Sequence, residues 1–129
     1  MENVPSILVV EDEVLILQMI ESALEDGGFK VKSAASAERA IQKLDARESP
    51  FCALVTDINL GRGISGWELA KRAREINHAM AVIYVTGHGA DEWATHGLPK
   101  SVVIEKPFAI AQLVTAVASL VNGSNQRQG

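Results

Sequence analysis

Short apolar runs rich in β-branched residues alternate along the chain with longer stretches whose apolar positions recur every three or four residues. Residues 7–10, 31–34, 53–56, 82–85 and 102–104 predict five strands. Most are apolar without alternation, as strands covered on both faces of a parallel sheet must be. The run 31–34 is the weakest and predicts a place near a sheet edge. Between the runs, residues 14–26 predict a first helix, stopped at Gly27-Gly28, where a glycine can adopt the left-handed conformation that closes a helix. Ile16, Ile20, Ala23 and Leu24 form its inward stripe.

Ser36 can cap a second helix that carries Ala40, Ile41 and Leu44 and breaks at Glu48-Ser49-Pro50. Ser65 plays the same part for a third helix ending near Ile76-Asn77. Only residues 89–98 are left for a fourth helix, with Gly and Pro at the edges, so at most two turns fit. A fifth helix, 109–122, puts Ile110, Leu113, Val114, Val117, Leu120 and Val121 on one face. The strand–helix alternation predicts one α/β domain over residues 1–122, a three-layer (βα)5 doubly wound parallel sheet with a shortened fourth helix. Residues 123–129 predict a flexible polar tail. There is no internal repeat.

Composition narrows the function. Apolar residues at 47% and charged residues at 22% suit a folded globular chain. Twelve Lys and Arg against 16 Asp and Glu give a net charge of −4, so no general electrostatic attraction draws it to nucleic acid. The longest apolar run, 79–85, is too short to span a bilayer, and the amino terminus lacks a basic segment followed by an apolar stretch. Cys52 is the only cysteine, which excludes an internal disulfide and a cysteine zinc cluster, and it reads as a small buried hydrophobe. These features predict a cytoplasmic protein with neither nucleic acid nor membrane as partner. His78, His88 and His96 show no ligand spacing and read as surface residues.

The candidate chemistry lies at strand ends. Glu11, Asp12 and Glu13 follow the first strand, and Asp57 follows the third. Ligands of an open parallel sheet bind outside the carboxyl ends of its strands where the chain order reverses, which in the order 2-1-3-4-5 lies between strands one and three. Glu11, Asp12 and Asp57 therefore converge. Clustered carboxylates repel one another unless a cation shares the space, and few oxygen-only donors suit Mg²⁺ better than Ca²⁺ or Zn²⁺. Strand five ends in Lys106-Pro107 and strand four in Thr86, which add an ammonium and a hydroxyl to the rim. A carboxylate beside Mg²⁺ and a lysine suits attack on phosphorus. Asp57, standing alone, is the candidate nucleophile; Glu11 and Asp12 are the candidate metal holders.

Four segments, Ile-Leu-Val-Val-Glu-Asp-Glu, Leu-Val-Thr-Asp-Ile-Asn-Leu, Ile-Tyr-Val-Thr-Gly and Ile-Glu-Lys-Pro-Phe, resemble in order and spacing the receiver domain of two-component response regulators, over roughly residues 6–122. The resemblance implies a flavodoxin-like sheet of order 2-1-3-4-5. It implies that Asp57 accepts a phosphoryl group from a phosphohistidine. Asp12 would bind Mg²⁺ directly, Glu11 often through water, and Asn59 through its backbone carbonyl. It further implies Thr86 as a switch hydroxyl, Lys106 as the lysine that pairs with the phosphoryl group, and a cis bond before Pro107. The implied partner is a histidine kinase or a histidine phosphotransfer protein, with signalling by changed protein contacts and no output domain: a relay intermediate, a phosphate sink or an adaptor.

The chain departs from the family pattern at Val103, where an aromatic switch residue is usual, and in the loop Gly61-Arg62-Gly63-Ile64-Ser65-Gly66, one residue longer than the common form. Thr86-Gly87-His88-Gly89 and the short fourth helix are similar to a subset of single-domain receivers, some of which partner histidine kinases of the HWE type. Val14, Leu15 and Gln18, outside the inward stripe of helix one, are expected to dock the phosphodonor. The uncharged outer face of helix five, Ala109, Ala111, Gln112, Thr115, Ala116, Ala118 and Ser119, is a candidate homodimer or target surface. Trp93 is a further contact candidate, and Trp67 reads as core or contact. Two rival functions use the same residues less well. A Mg²⁺-dependent phosphohydrolase with an aspartyl-phosphate intermediate lacks the usual Asp-x-Asp nucleophile motif. A flavodoxin-like cofactor binder would meet Glu11, Asp12 and Glu13 where a phosphate needs amides.

Overall fold

The computed structural model describes residues 5–46, 51–61, 63–88 and 90–126. The Glu48-Ser49-Pro50 break, Arg62, Gly89 and residues 127–129 of the expected tail lie outside them. The strands are β1 (Ser6–Val10), β2 (Lys30–Ala34), β3 (Phe51–Asp57), β4 (Ala81–Thr86) and β5 (Ser101–Glu105). The helices are α1 (Val14–Asp26), α2 (Ala37–Ala46), α3 (Gly66–Ile76), α4 (Trp93–His96) and α5 (Ile110–Gln126), with a 3₁₀ turn at Ala90–Glu92 before α4. All four strand pairings are parallel and the order is β2-β1-β3-β4-β5. The chain reverses between β1 and β3, as the strand-end argument required, and β2 is an edge strand.

Alternate residues of the central strands face opposite layers. Ile7, Val9, Ala53, Val55, Ile83 and Val85 pack with Ile20 and Leu24 of α1 and Leu113 and Val117 of α5. Leu8, Val10, Leu54, Val82 and Tyr84 pack on the other face with Leu44 of α2 and Leu69 of α3. This double burial explains the near-continuous apolar runs.

Local chemistry sets the helix ends. Gly28, at φ +98°, takes the left-handed turn after α1. The Ser65 hydroxyl accepts the Glu68 N–H at 3.2 Å while the Glu68 carboxylate accepts the Ser65 N–H at 2.9 Å, a reciprocal capping box that starts α3. Ser36 accepts the Arg39 N–H at 3.2 Å and does the same for α2. The fourth helix is indeed short. All five strands run one or more residues past their expected bounds, and α5 runs past its expected end. β3 extends at both ends to Phe51 and Asp57, because Asp57 still pairs with Val85 in the ladder. α5 runs to Gln126, past Gly123, where the polar tail was expected to begin; one glycine weakens a helix by only about 1 kcal/mol. Cys52 is half-buried rather than buried, and His78, His88 and His96 are exposed.

Candidate phosphoacceptor site

Asp57 is the last residue of β3 and only 6% exposed. Its Oδ1 accepts the Asn59 N–H at 3.1 Å, and its Oδ2 accepts a hydrogen bond from Lys106 Nζ, also at 3.1 Å. The backbone around it is tightly fixed. The Thr56 hydroxyl donates to the Asp57 carbonyl at 2.9 Å, Ile58 N–H donates to the Val85 carbonyl at 3.0 Å, and Gly66 N–H donates to the Ile58 carbonyl at 2.8 Å. Gly66 is obligatory in this packing, since a Cβ there would lie 2.3 Å from the Asp57 carbonyl oxygen.

Glu11 follows β1 and is 1% exposed. Its Oε2 accepts the Glu13 N–H at 3.1 Å; its Oε1 lies 3.3 Å from Lys106 Nζ as an ion pair but makes no hydrogen bond. Burial, reinforced by the charge of Asp57, pushes the Glu11 carboxyl up to about 7, against the opposing pull of the Glu13 N–H and Lys106. Asp12 is exposed beside it. Among the described residues, Glu11, Asp12 and Asp57 each offer an oxygen within 4.8 Å of the others. A buried carboxylate oxygen without a hydrogen bond, facing two further carboxylates, fits an oxygen-liganded divalent cation such as Mg²⁺.

Lys106 follows β5 and is anchored through its N–H to the Thr86 carbonyl at 2.7 Å. Burial opposes its charge, but the hydrogen bond and charge of Asp57, then the charge of Glu11, outweigh that and hold the ammonium above its ordinary range. The Lys106–Pro107 bond is cis. Nζ also lies 3.4 Å from Glu13 Oε1, so three carboxylates share one ammonium. Sequence reasoning placed Glu13 near the crevice but gave it no role; its position two residues after Glu11 was the available signal. Thr86 ends β4 fully buried, and its hydroxyl is occupied by its own loop, donating to the His88 carbonyl and accepting the His88 N–H at 3.0 Å. Asn59 is exposed, and its N–H is committed to Asp57.

The family model for the response regulator receiver domain matches residues 7–118. The chain belongs to the response regulator receiver family. This receiver is 31% identical over 117 residues to the response regulator receiver protein CpdR of Brucella abortus, covering 89% of this chain and 95% of that protein. It is 36% identical over 111 residues to an NtrX-like response regulator of Rickettsia conorii, covering 84% of this chain but spanning only 23% of that relative. In three dimensions the receiver is similar to a response regulator receiver protein from Sinorhizobium medicae, with a TM-score of 0.90, 41% identity and coverage of 95% and 98% of the two chains. A CheY-like receiver domain protein from Methanospirillum hungatei gives a TM-score of 0.83 at 25% identity, with coverage of 96% and 98%. No described helix of the receiver is long and apolar enough to cross a membrane.

Proposed function

We propose that this receiver takes a phosphoryl group from a phosphohistidine onto Asp57. The observation that carries the reading is the division of the Asp57 carboxylate between the Asn59 N–H and Lys106, within the acidic cluster at the reversal of the sheet. An Asp57 carboxylate oxygen forms the new bond to phosphorus as the P–N bond breaks and the donor imidazole leaves with the bonding pair. The Lys106 ammonium, already on Asp57, turns to the incoming phosphoryl oxygens. Thr86 exchanges its His88 partners for a phosphoryl oxygen. Glu11, Asp12, Asp57 and the Asn59 carbonyl are the proposed Mg²⁺ holders, and the ion when bound neutralises phosphoryl charge during in-line transfer.

The proposed donor is a histidine kinase or histidine phosphotransfer protein that docks on α1. Leu15 and Val14 are 76% and 60% exposed. Leu15 and Gln18 line a groove of about 670 Å³ with Met19 and Ile110, and Met19 also borders a second groove lined by Lys106, Pro107 and Phe108. That continuity brings an apolar docking face to the ammonium on Asp57. The receiver acts as a cytoplasmic signalling protein rather than a turnover enzyme, its own residues catalysing phosphorylation and slow dephosphorylation. Incubation with Mg²⁺ and a phosphodonor should give an acyl-phosphate at Asp57 by mass spectrometry, and none in Asp57→Asn. An unmodified position 57, or steady turnover of a small phosphomonoester, would overturn the reading.

A further inference from the structure

We propose that Glu13 selects phosphodonors by their charge, holding down the labelling of Asp57 by small, highly charged acyl phosphates. The inference rests on the phosphoacceptor reading and deepens it. Glu13 Oε1 lies 3.4 Å from Lys106 Nζ, and its side chain is 62% exposed, whereas Glu11 and Asp57 on the same ammonium are 2% and 7% exposed. The Glu13 carboxylate therefore stands on the solvent side of the cation that a phosphoryl group must reach. It adds a carboxylate at the mouth of a crevice that already holds Glu11, Asp12 and Asp57 against Lys106. Its backbone is fixed there, because its N–H is committed to Glu11 Oε2 at 3.1 Å.

The buried Glu11 and Asp57 carboxylates lie 3.3 and 3.1 Å from Nζ on its inner side, so the exposed Glu13 is the most remote of the three anchors. What it contributes is repulsion of any anion that approaches from solvent. For a free donor the Coulomb penalty from Glu13 grows in proportion to donor charge, and no docking contact offsets it. A donor carried by a docked protein gains the contacts of the α1 face as well.

Two small donors separate charge from structure. Acetyl phosphate is a dianion at neutral pH: the Asp57 oxygen bonds to phosphorus, the bond from phosphorus to the bridging oxygen breaks, and acetate leaves with the electron pair. Phosphoramidate is a monoanion at the same pH: the same P–O bond forms, the P–N bond breaks, and ammonia leaves. Both deliver the same phosphoryl group to the same Asp57, Lys106 and Mg²⁺.

The experiment measures labelling rates of the whole chain with Mg²⁺ at low and high ionic strength, for the wild type, Glu13→Gln and Glu13→Asp, using intact-mass detection. Glu13→Gln should speed acetyl phosphate labelling roughly three- to tenfold at low salt. The gain with phosphoramidate should be near the square root of that factor, because halving the charge halves the penalty. Both gains should shrink at high salt, and Glu13→Asp should stay within about twofold of the wild type. No gain, or an equal gain with both donors, overturns the proposal; equal gain would mean that Glu13 acts by positioning Lys106. Failure of the wild type to label at position 57 would instead overturn the phosphoacceptor reading.

Discussion

A carboxyl that folding pushes up in pKa leaves a signature in stability, and Glu11 offers the clearest case. Its ordinary value of 4.5 becomes about 7 in the folded chain, chiefly through burial. Between those values the folded state keeps a proton that the unfolded state has released, so stability is full below the lower value and declines as pH rises to the upper one. At about 1.4 kcal/mol per pH unit the interval amounts to about 3 kcal/mol, most of which falls between pH 5 and 8. Lys106 does not blur the window: its raised pKa contributes stability at every pH below the ordinary ammonium value of 10.5, and loses it only above. Urea unfolding of the metal-free protein across pH 5 to 8 should therefore show the wild type losing about 2–3 kcal/mol relative to Glu11→Gln, which keeps the shape and cannot ionise. Because metal ligands must be deprotonated, Mg²⁺ binding near pH 6 should release close to one proton, and near pH 8 almost none. Parallel stability curves for the two proteins would show that Glu11 is already ionised in the folded chain, and the argument from burial would fail.

Three further outcomes follow from the geometry. Gly66→Ala should cost about 2–3 kcal/mol in chemical unfolding and slow Asp57 labelling, because its Cβ would fall 2.3 Å from the Asp57 carbonyl oxygen and 2.8 Å from the Ile58 Cα, both rigid backbone atoms; wild-type stability would refute the close packing. Replacing Val14 and Leu15 by Ser should slow transfer from a phosphohistidine protein roughly tenfold or more while sparing acetyl phosphate, since it removes the exposed apolar pair without adding charge beside Glu13; equal loss with both donors would refute docking there. The outer face of α5 should support self-association, and sedimentation as a monomer both with and without beryllofluoride would count against it.

Much of this fold was legible because local signals agreed with tertiary demands. α1 ends where Gly28 supplies a positive φ, and α3 begins where Ser65 and Glu68 cap each other. The strand ends were legible too, since acidic residues interrupt runs that are otherwise wholly apolar. Less accessible was how far each side chain reaches once the sheet is assembled. Glu13 looked like one of three neighbouring acids, but which of them Lys106 touches depends on the path of the chain after β5. Ala116 looked like part of a small-residue outer face, yet it is half-buried against the core, because the stripe that α5 buries is wider than its large residues suggested. The Thr86 hydroxyl was expected at the crevice, and its engagement with His88 depends on a turn that spacing does not specify.

The absence of an aromatic at Val103 has a physical counterpart one strand away. Val103 pairs with Tyr84 across the β4–β5 ladder, and both pack into the same core layer. Tyr84 is fully buried, its ring 4.5 Å from that of Trp67, and its hydroxyl accepts the Leu98 N–H at 3.4 Å just beyond α4. An aromatic side chain at 103 would have to share that layer with Tyr84 and Trp67, so a valine there is what the packing allows. A ring held in this way cannot swing between solvent and crevice without opening the core and abandoning the Leu98 N–H. Tyr84 therefore occupies the region of the missing switch residue without being able to act as one. The hydroxyl proposed to exchange partners lies two residues further along the same strand face, on Thr86, whose partner is the backbone of His88 rather than a packed ring.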